Sequence, residues 1–143
     1  MKNSASLTSA WWRATDAGML QSLIYVAFGG AVGASLRFVV GLGVVRLLGT
    51  GFPLAIITVN VIGSFLMGAF VVAAAHRGLA HYSPLVMTGL LGGFTTFSAF
   101  SLETVTLIER GQITAAAVYV MVSVVGSVAA LAAGLMMARA VYA

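Results

Sequence analysis

The stretch GGFTTFSAF, residues 92–100, lies inside Gly78–Leu102, a run that carries no Asp, Glu, Lys or Arg. A run of about 20 or more apolar residues is long enough to cross the ~30 Å hydrocarbon core of a bilayer as a helix. The composition of this stretch argues against a plain span. Gly92 and Gly93 each lower helix propensity by roughly 1 kcal/mol relative to alanine, and Thr95 and Thr96 compete for local backbone hydrogen bonds. The reading is a helix that breaks at membrane depth. Such a break survives only where it is buried in protein or lines a cavity. Its freed carbonyls are ligands for a hard cation. Phe94, Phe97 and Phe100 recur every three residues, either as a packed stripe or as rings whose positive edges face an anion.

Working outward, three further charge-free runs appear: Ala17–Leu36, Leu47–Ala75 and Gly111–Ala138. With 61% hydrophobic and 7% charged residues among 143, the chain cannot cover a soluble domain's surface with charge. The fold class is therefore an all-α membrane protein with four transmembrane helices, the third broken. The spans are expected near 20–42, 53–75, 83–108 and 112–139, with Pro53 and Pro84 in the first turns of the second and third. Gly49-Thr50-Gly51, the stretch around Gly78, and Glu109-Arg110-Gly111 make the loops. They are short enough that each helix is expected to return beside the one before it. Residues 1–18 read as a polar N-terminal extension with Trp11 and Trp12 at headgroup level, and residues 19–143 as the four-helix domain.

Several chemistries are excluded or disfavoured. There is no cysteine, which removes disulfides, thiolate metal sites and cysteine nucleophiles. His76 and His81 fall in the second loop, where an interfacial pair is a better reading than a metal site. No nucleophile–base pair or metal-ligand cluster is visible, so an enzyme is not expected. The net charge of +4 comes from arginines scattered over span ends, where they anchor helices to headgroups; nucleic acid is not an expected partner.

The polar residues within the spans need a reason. Asn60 lies well inside the second span, where an unpaired amide is costly. It either bonds to another helix or lines a water- or ion-filled path. Tyr119, Ser123 and Ser127 stand at i, i+4 and i+8 on one face of the fourth helix, a stripe of hydroxyls able to donate to an anion. Small residues recur as packing notches at Gly29/Gly30/Gly33, Asn60/Ser64/Gly68 and Gly126/Ala130/Gly134. The Lys/Arg count gives little orientation. Lys2, Arg13, Arg77 and Arg139 fall on one side, and Arg37, Arg46 and Arg110 on the other. A chain balanced in this way either takes its orientation from one distal charge or inserts both ways.

GGAVGASLRF at 29–38, NVIGSFLMG at 60–68 and GGFTTFSAFSLE at 92–103 together resemble the Fluc (CrcB) fluoride channels in order and spacing, over about residues 20–140. The third motif is highly specific; the first is weak on its own. The resemblance implies an antiparallel, dual-topology homodimer in the bacterial inner membrane. It would have two pores and export cytoplasmic fluoride passively. It implies that Phe97 and Phe100 line the pores, with Asn60 as the polar pore residue of the second helix. Ser98 and the Tyr119/Ser123/Ser127 stripe form the polar track, with Arg37 and Glu103 near the vestibule. It further implies a structural sodium ion between the subunits, held by the backbone carbonyls of Gly92 and Thr95. Departures from the family pattern are Ala99 where threonine is usual, Ala55-Ile56 before Asn60 in place of a common Gly-Thr pair, and a longer N-terminal extension. Ala99 removes a hydroxyl expected in the track. The rival readings are a small multidrug-type proton-coupled transporter and a non-transporting accessory subunit. The first needs an acid in mid-membrane, and the only acids are Asp16, Glu103 and Glu109.

Overall fold

A computed structural model of the chain describes residues 16–142. It is all helical over that range, with four segments long and apolar enough to cross a membrane. Helix α1 covers Asp16–Leu48 and α2 covers Leu54–Arg77. The third span is composite. A 3-10 turn, Ala80–Tyr82, leads into a π-helical segment, Pro84–Leu91, and a single α turn, α3, Gly92–Phe94. Two extended residues follow, and α4 resumes over Phe97–Glu109. Helix α5 covers Ile113–Tyr142.

The break in the third span stands where the glycines and threonines placed it. The expected boundaries were short, most of all for α1, which begins at Asp16 and runs to Leu48 rather than over 20–42. Charge-free length marks the lipid-crossing part of a helix; the helix itself continues into the headgroups, so Arg37 lies within α1 rather than at its end. Trp11, Trp12 and most of the expected extension lie outside the described residues. Pro53 caps α2 from outside instead of opening its first turn, whereas Pro84 begins the π-helical segment. Gly78 ends α2 in the left-handed region at φ 66°, its N–H returning to the Ala74 carbonyl, a conformation that glycine adopts without Cβ strain.

The helices pair differently from the expected serial order. Neighbours in sequence do touch, but the most extensive packings are α2 with α5 and α1 with the π-helical segment and α3. The glycine notches explain this. A Cβ on Gly68 would collide with the Leu131 carbonyl of α5, and one on Gly134 with the Phe65 carbonyl of α2. Likewise, a Cβ on Gly29 or Gly33 would strike the Leu85 or Leu90 carbonyl of the third span. Backbones in contact at this distance gain dispersion and dipole interactions that lipid does not supply. A small core of Leu107, Ala116 and Tyr119 then fixes α4 against α5, with Phe52, Ile56 and Phe100 packed around it. Large apolar side chains on all four spans remain exposed, as a lipid-facing surface requires.

Candidate functional site

The site begins at the break. Thr95 (φ −83°, ψ 162°) and Thr96 (φ −155°, ψ 123°) are extended, so the helix stops at Phe94 and restarts at Phe97. Each threonine finishes one of the two ends. Thr95 N–H and Oγ1 both donate to the Leu91 carbonyl, at 3.0 and 2.9 Å. Thr96 is the N-cap of α4, its Oγ1 accepting the Ala99 N–H at 3.2 Å, the role for which threonine is favoured. A helix α2 side chain completes the arrangement. Thr96 N–H donates to Asn60 Oδ1 at 2.8 Å, and Asn60 Nδ2 donates to the Thr96 carbonyl at 3.1 Å. The Asn60 amide thus pairs with the Thr96 peptide as a neighbouring strand would. Because the peptide N–H needs an acceptor, the orientation of the amide is fixed. Gly63, one turn along α2, makes room for the side chains at the break: a Cβ there would overlap the Thr95 methyl and stand 3.2 Å from the Phe94 ring.

Beside the break lies a groove of about 390 Å³ between α2, the start of α4 and α5. Asn60 and Ser64 line it from α2, Thr95, Thr96, Phe97 and Phe100 from the break and α4, and Ser123 and Ser127 from α5. Phe97 is 78% exposed, so this wall opens outward from the chain. The rings form a continuous series. Phe97 and Phe100 have centroids 5.4 Å apart, Phe100 and Tyr119 also 5.4 Å, and Tyr119 meets Phe52 edge-on at 5.9 Å. Tyr119 is fully buried and Ser123 nearly so. Neither the Tyr119 hydroxyl nor Ser123 Oγ has a hydrogen-bond partner among the described residues. The Ser123 hydroxyl, left unpaired in the groove wall, is free to donate to something that enters it, whereas Tyr119 lies behind that wall.

The structure gathers most of the residues singled out from sequence: Asn60, Phe97, Phe100, Ser123, Ser127 and Thr95 share the groove, and Tyr119 stands directly behind Phe100. Ser98 does not line it. It is exposed, with Oγ 3.3 Å from Thr96 Oγ1. Ala99 does not line it either, so its methyl takes no hydroxyl from this wall; its contribution is the N–H that caps onto Thr96. Arg37 and Glu103, both partly exposed, lie off the groove in α1 and α4, and Gly92 is exposed on the third span. Phe94 leaves the stripe, since the break carries it to a buried position against Gly63. His76 stacks on Tyr142 at 5.2 Å while His81 packs on Tyr82, so the two histidines make separate aromatic contacts. Sequence reasoning placed Thr96 in the break but not in the site, and missed Gly63 and Phe52. The N-cap preference of threonine was the available signal for Thr96, and nothing local marked the other two.

Fold and site define a small multi-pass membrane protein whose mainly apolar groove, beside a helix break, carries an amide, a few hydroxyls and two phenylalanine rings. The chain belongs to the CrcB family: residues 24–135 match the family described as CrcB-like protein, Camphor Resistance (CrcB). Its relatives include a protein from Roseobacter denitrificans named fluoride-specific ion channel FluC, 66% identical over 125 residues, covering 86% of this chain and 99% of the relative. A protein of the same name from Ruegeria sp. is 62% identical over 124 residues, covering 86% and 98%. A third, from Jannaschia sp., is 73% identical over 96 residues, covering 67% and 91%. The family is one of ion channels, not enzymes.

Proposed function

We propose that this chain is a fluoride-selective channel that lets fluoride leave the cytoplasm passively, and that the groove beside the break is the anion path. The observation that carries the proposal is the wall itself. It combines serine hydroxyls, one of them (Ser123) without a partner, with phenylalanine rings and, among the described residues, no fixed charge. A small anion loses a strong hydration shell on entering, and donors pre-placed along the wall replace it. Ser123 and Ser127 supply O–H donors, and Phe97 and Phe100, the latter backed by Tyr119, supply positive ring edges. The absence of a fixed cation in the wall keeps binding weak enough for the ion to leave. The names of the relatives agree with fluoride as the ion.

The wall is open on the side of Phe97. Polar groups facing hydrocarbon there would be costly, which supports closure by a second copy. The nearly even Lys/Arg count supports insertion in both orientations and so an antiparallel pair; two copies would carry two such grooves, and the resemblance to the fluoride channels adds the two pores and the bacterial inner membrane. Export follows from acid–base chemistry. The neutral acid form of fluoride crosses membranes from acidic surroundings, ionises in the cytoplasm, and needs a path out.

A structural sodium ion also fits the residues present. In an unbroken helix Thr96 N–H would close onto the Gly92 carbonyl, and Ala99 N–H onto the Thr95 carbonyl. Here those two N–H groups go to Asn60 Oδ1 and Thr96 Oγ1. Gly92 and Thr95 are thus left with acceptor oxygens suited to a hard cation, and two copies would offer four. Such an ion supplies positive charge against the carbonyl dipoles. The test of the function is growth of cells lacking their own fluoride exporter: this chain should restore growth in fluoride, and Phe97→Ile should not. Growth restored equally by both would remove the ring-lined groove as the path.

A further inference from the structure

Two of the N–H groups that the break diverts from helical carbonyls, those of Thr96 and Ala99, are captured by side chains, and the consequence concerns those side chains rather than the ion. We infer that Asn60 and Thr96 are positioning residues that hold the third span open, and that Asn60 acts on permeation through the Thr96 peptide rather than chiefly as an anion ligand. Its carbonyl oxygen accepts the Thr96 N–H at 2.8 Å, and one of its amide hydrogens goes to the Thr96 carbonyl at 3.1 Å. That leaves a single N–H for the groove. The Thr96 hydroxyl takes one of the first-turn amides of α4, that of Ala99. Every backbone N–H at membrane depth needs an acceptor. If either side chain is removed, the nearest replacement is the helical carbonyl four residues back, Gly92 for the Thr96 N–H and Thr95 for the Ala99 N–H. The break is thus in competition with a regular helix, and the two side chains tip it towards the open form. The same capture keeps Phe97 at the first position of α4 and so sets where its ring meets Phe100.

The proposal deepens the channel reading and rests on it for its flux readout, but its structural readout is independent. Only two Gly–Gly peptide bonds occur in the sequence, Gly29–Gly30 and Gly92–Gly93. Protein labelled with carbonyl-¹³C and ¹⁵N glycine therefore gives two ¹³C–¹⁵N correlations in solid-state NMR. Gly29, inside α1, serves as the helical reference. In sodium-free bilayers the Gly92 carbonyl of the parent should resonate upfield of the Gly29 carbonyl, because it accepts no amide hydrogen. Asn60→Ala should move it downfield, towards Gly29, and abolish fluoride efflux. Thr96→Val should also lower efflux, and Thr96→Ser, which keeps the capping oxygen, should restore it. A Gly92 signal unmoved by Asn60→Ala in folded protein would overturn the inference. So would equal efflux from Thr96→Val and Thr96→Ser, which tests the idea even where the Asn60 variant does not fold. Adding sodium separates the two ideas. If the parent's Gly92 signal ignores sodium yet shifts with Asn60→Ala, the cation site fails and the positioning role stands.

Discussion

Replacing Phe100 with isoleucine separates the packing of the ring series from its part in the anion path. Phe100 is the middle ring, 5.4 Å from both Phe97 and Tyr119. Aromatic pairs of this kind contribute about 0.5–1.5 kcal/mol each beyond their burial. Phe100→Ile keeps an apolar side chain but loses both pairs, so stability should fall by roughly 1–3 kcal/mol. A packing loss alone need not slow an ion. Phe52→Leu supplies the comparison, because Phe52 also meets Tyr119, edge-on at 5.9 Å, yet does not line the groove. It should lose about 0.5–1.5 kcal/mol from one pair with efflux close to the parent's. Phe100→Ile should slow efflux at least tenfold, since about 1.4 kcal/mol added to the crossing barrier has that effect. The assay is thermal unfolding in detergent alongside a fluoride-electrode trace from proteoliposomes. Parental efflux from Phe100→Ile, or equal slowing in both variants, would refute the assignment of the ring to the path.

Ser123→Ala removes a buried hydroxyl that has no hydrogen-bond partner among the described residues. Unpaired buried hydroxyls carry a desolvation penalty of about 1–3 kcal/mol, so the unfolding midpoint should hold or rise while fluoride efflux falls; a lower midpoint with unchanged efflux would make Ser123 a structural residue. Gly134→Ala should destabilise by about 1–3 kcal/mol, because the new Cβ meets the Phe65 carbonyl. Gly126→Ala, whose new Cβ would stand 3.4 Å from Val61 Cγ2 in ordinary van der Waals contact, should be tolerated, and thermal unfolding ranks the pair. A cysteine at Gln112, in a chain that has none of its own, should react with impermeant reagents from both sides of the membrane. Labelling from one side only would contradict insertion in both orientations.

The legible and illegible parts of this protein divide along a physical line. Charge-free length and glycine or proline punctuation are local, and they disclosed four spans and the break between Phe94 and Phe97. Helix partners are not local. Gly29, Gly33, Gly68 and Gly134 announced close approaches, but the sequence does not say which carbonyl each would meet, and serial neighbours were the natural assumption. Asn60 shows the same limit. Its depth required a partner, yet the partner is a peptide group 36 residues away, and peptide groups are identical along a chain. The phenylalanine stripe misled for a third reason. A three-residue recurrence shares a face only on continuous helix, and the two extended threonines send Phe94 to the core while Phe97 and Phe100 stay in the groove.

The most direct test of the central claim uses proteoliposomes loaded with fluoride or with chloride, diluted into impermeant anion and released by a potassium ionophore. Fluoride should leave rapidly through the parent protein and chloride should stay. Equal loss of both anions, or retention of both, would contradict a fluoride-selective path through this fold.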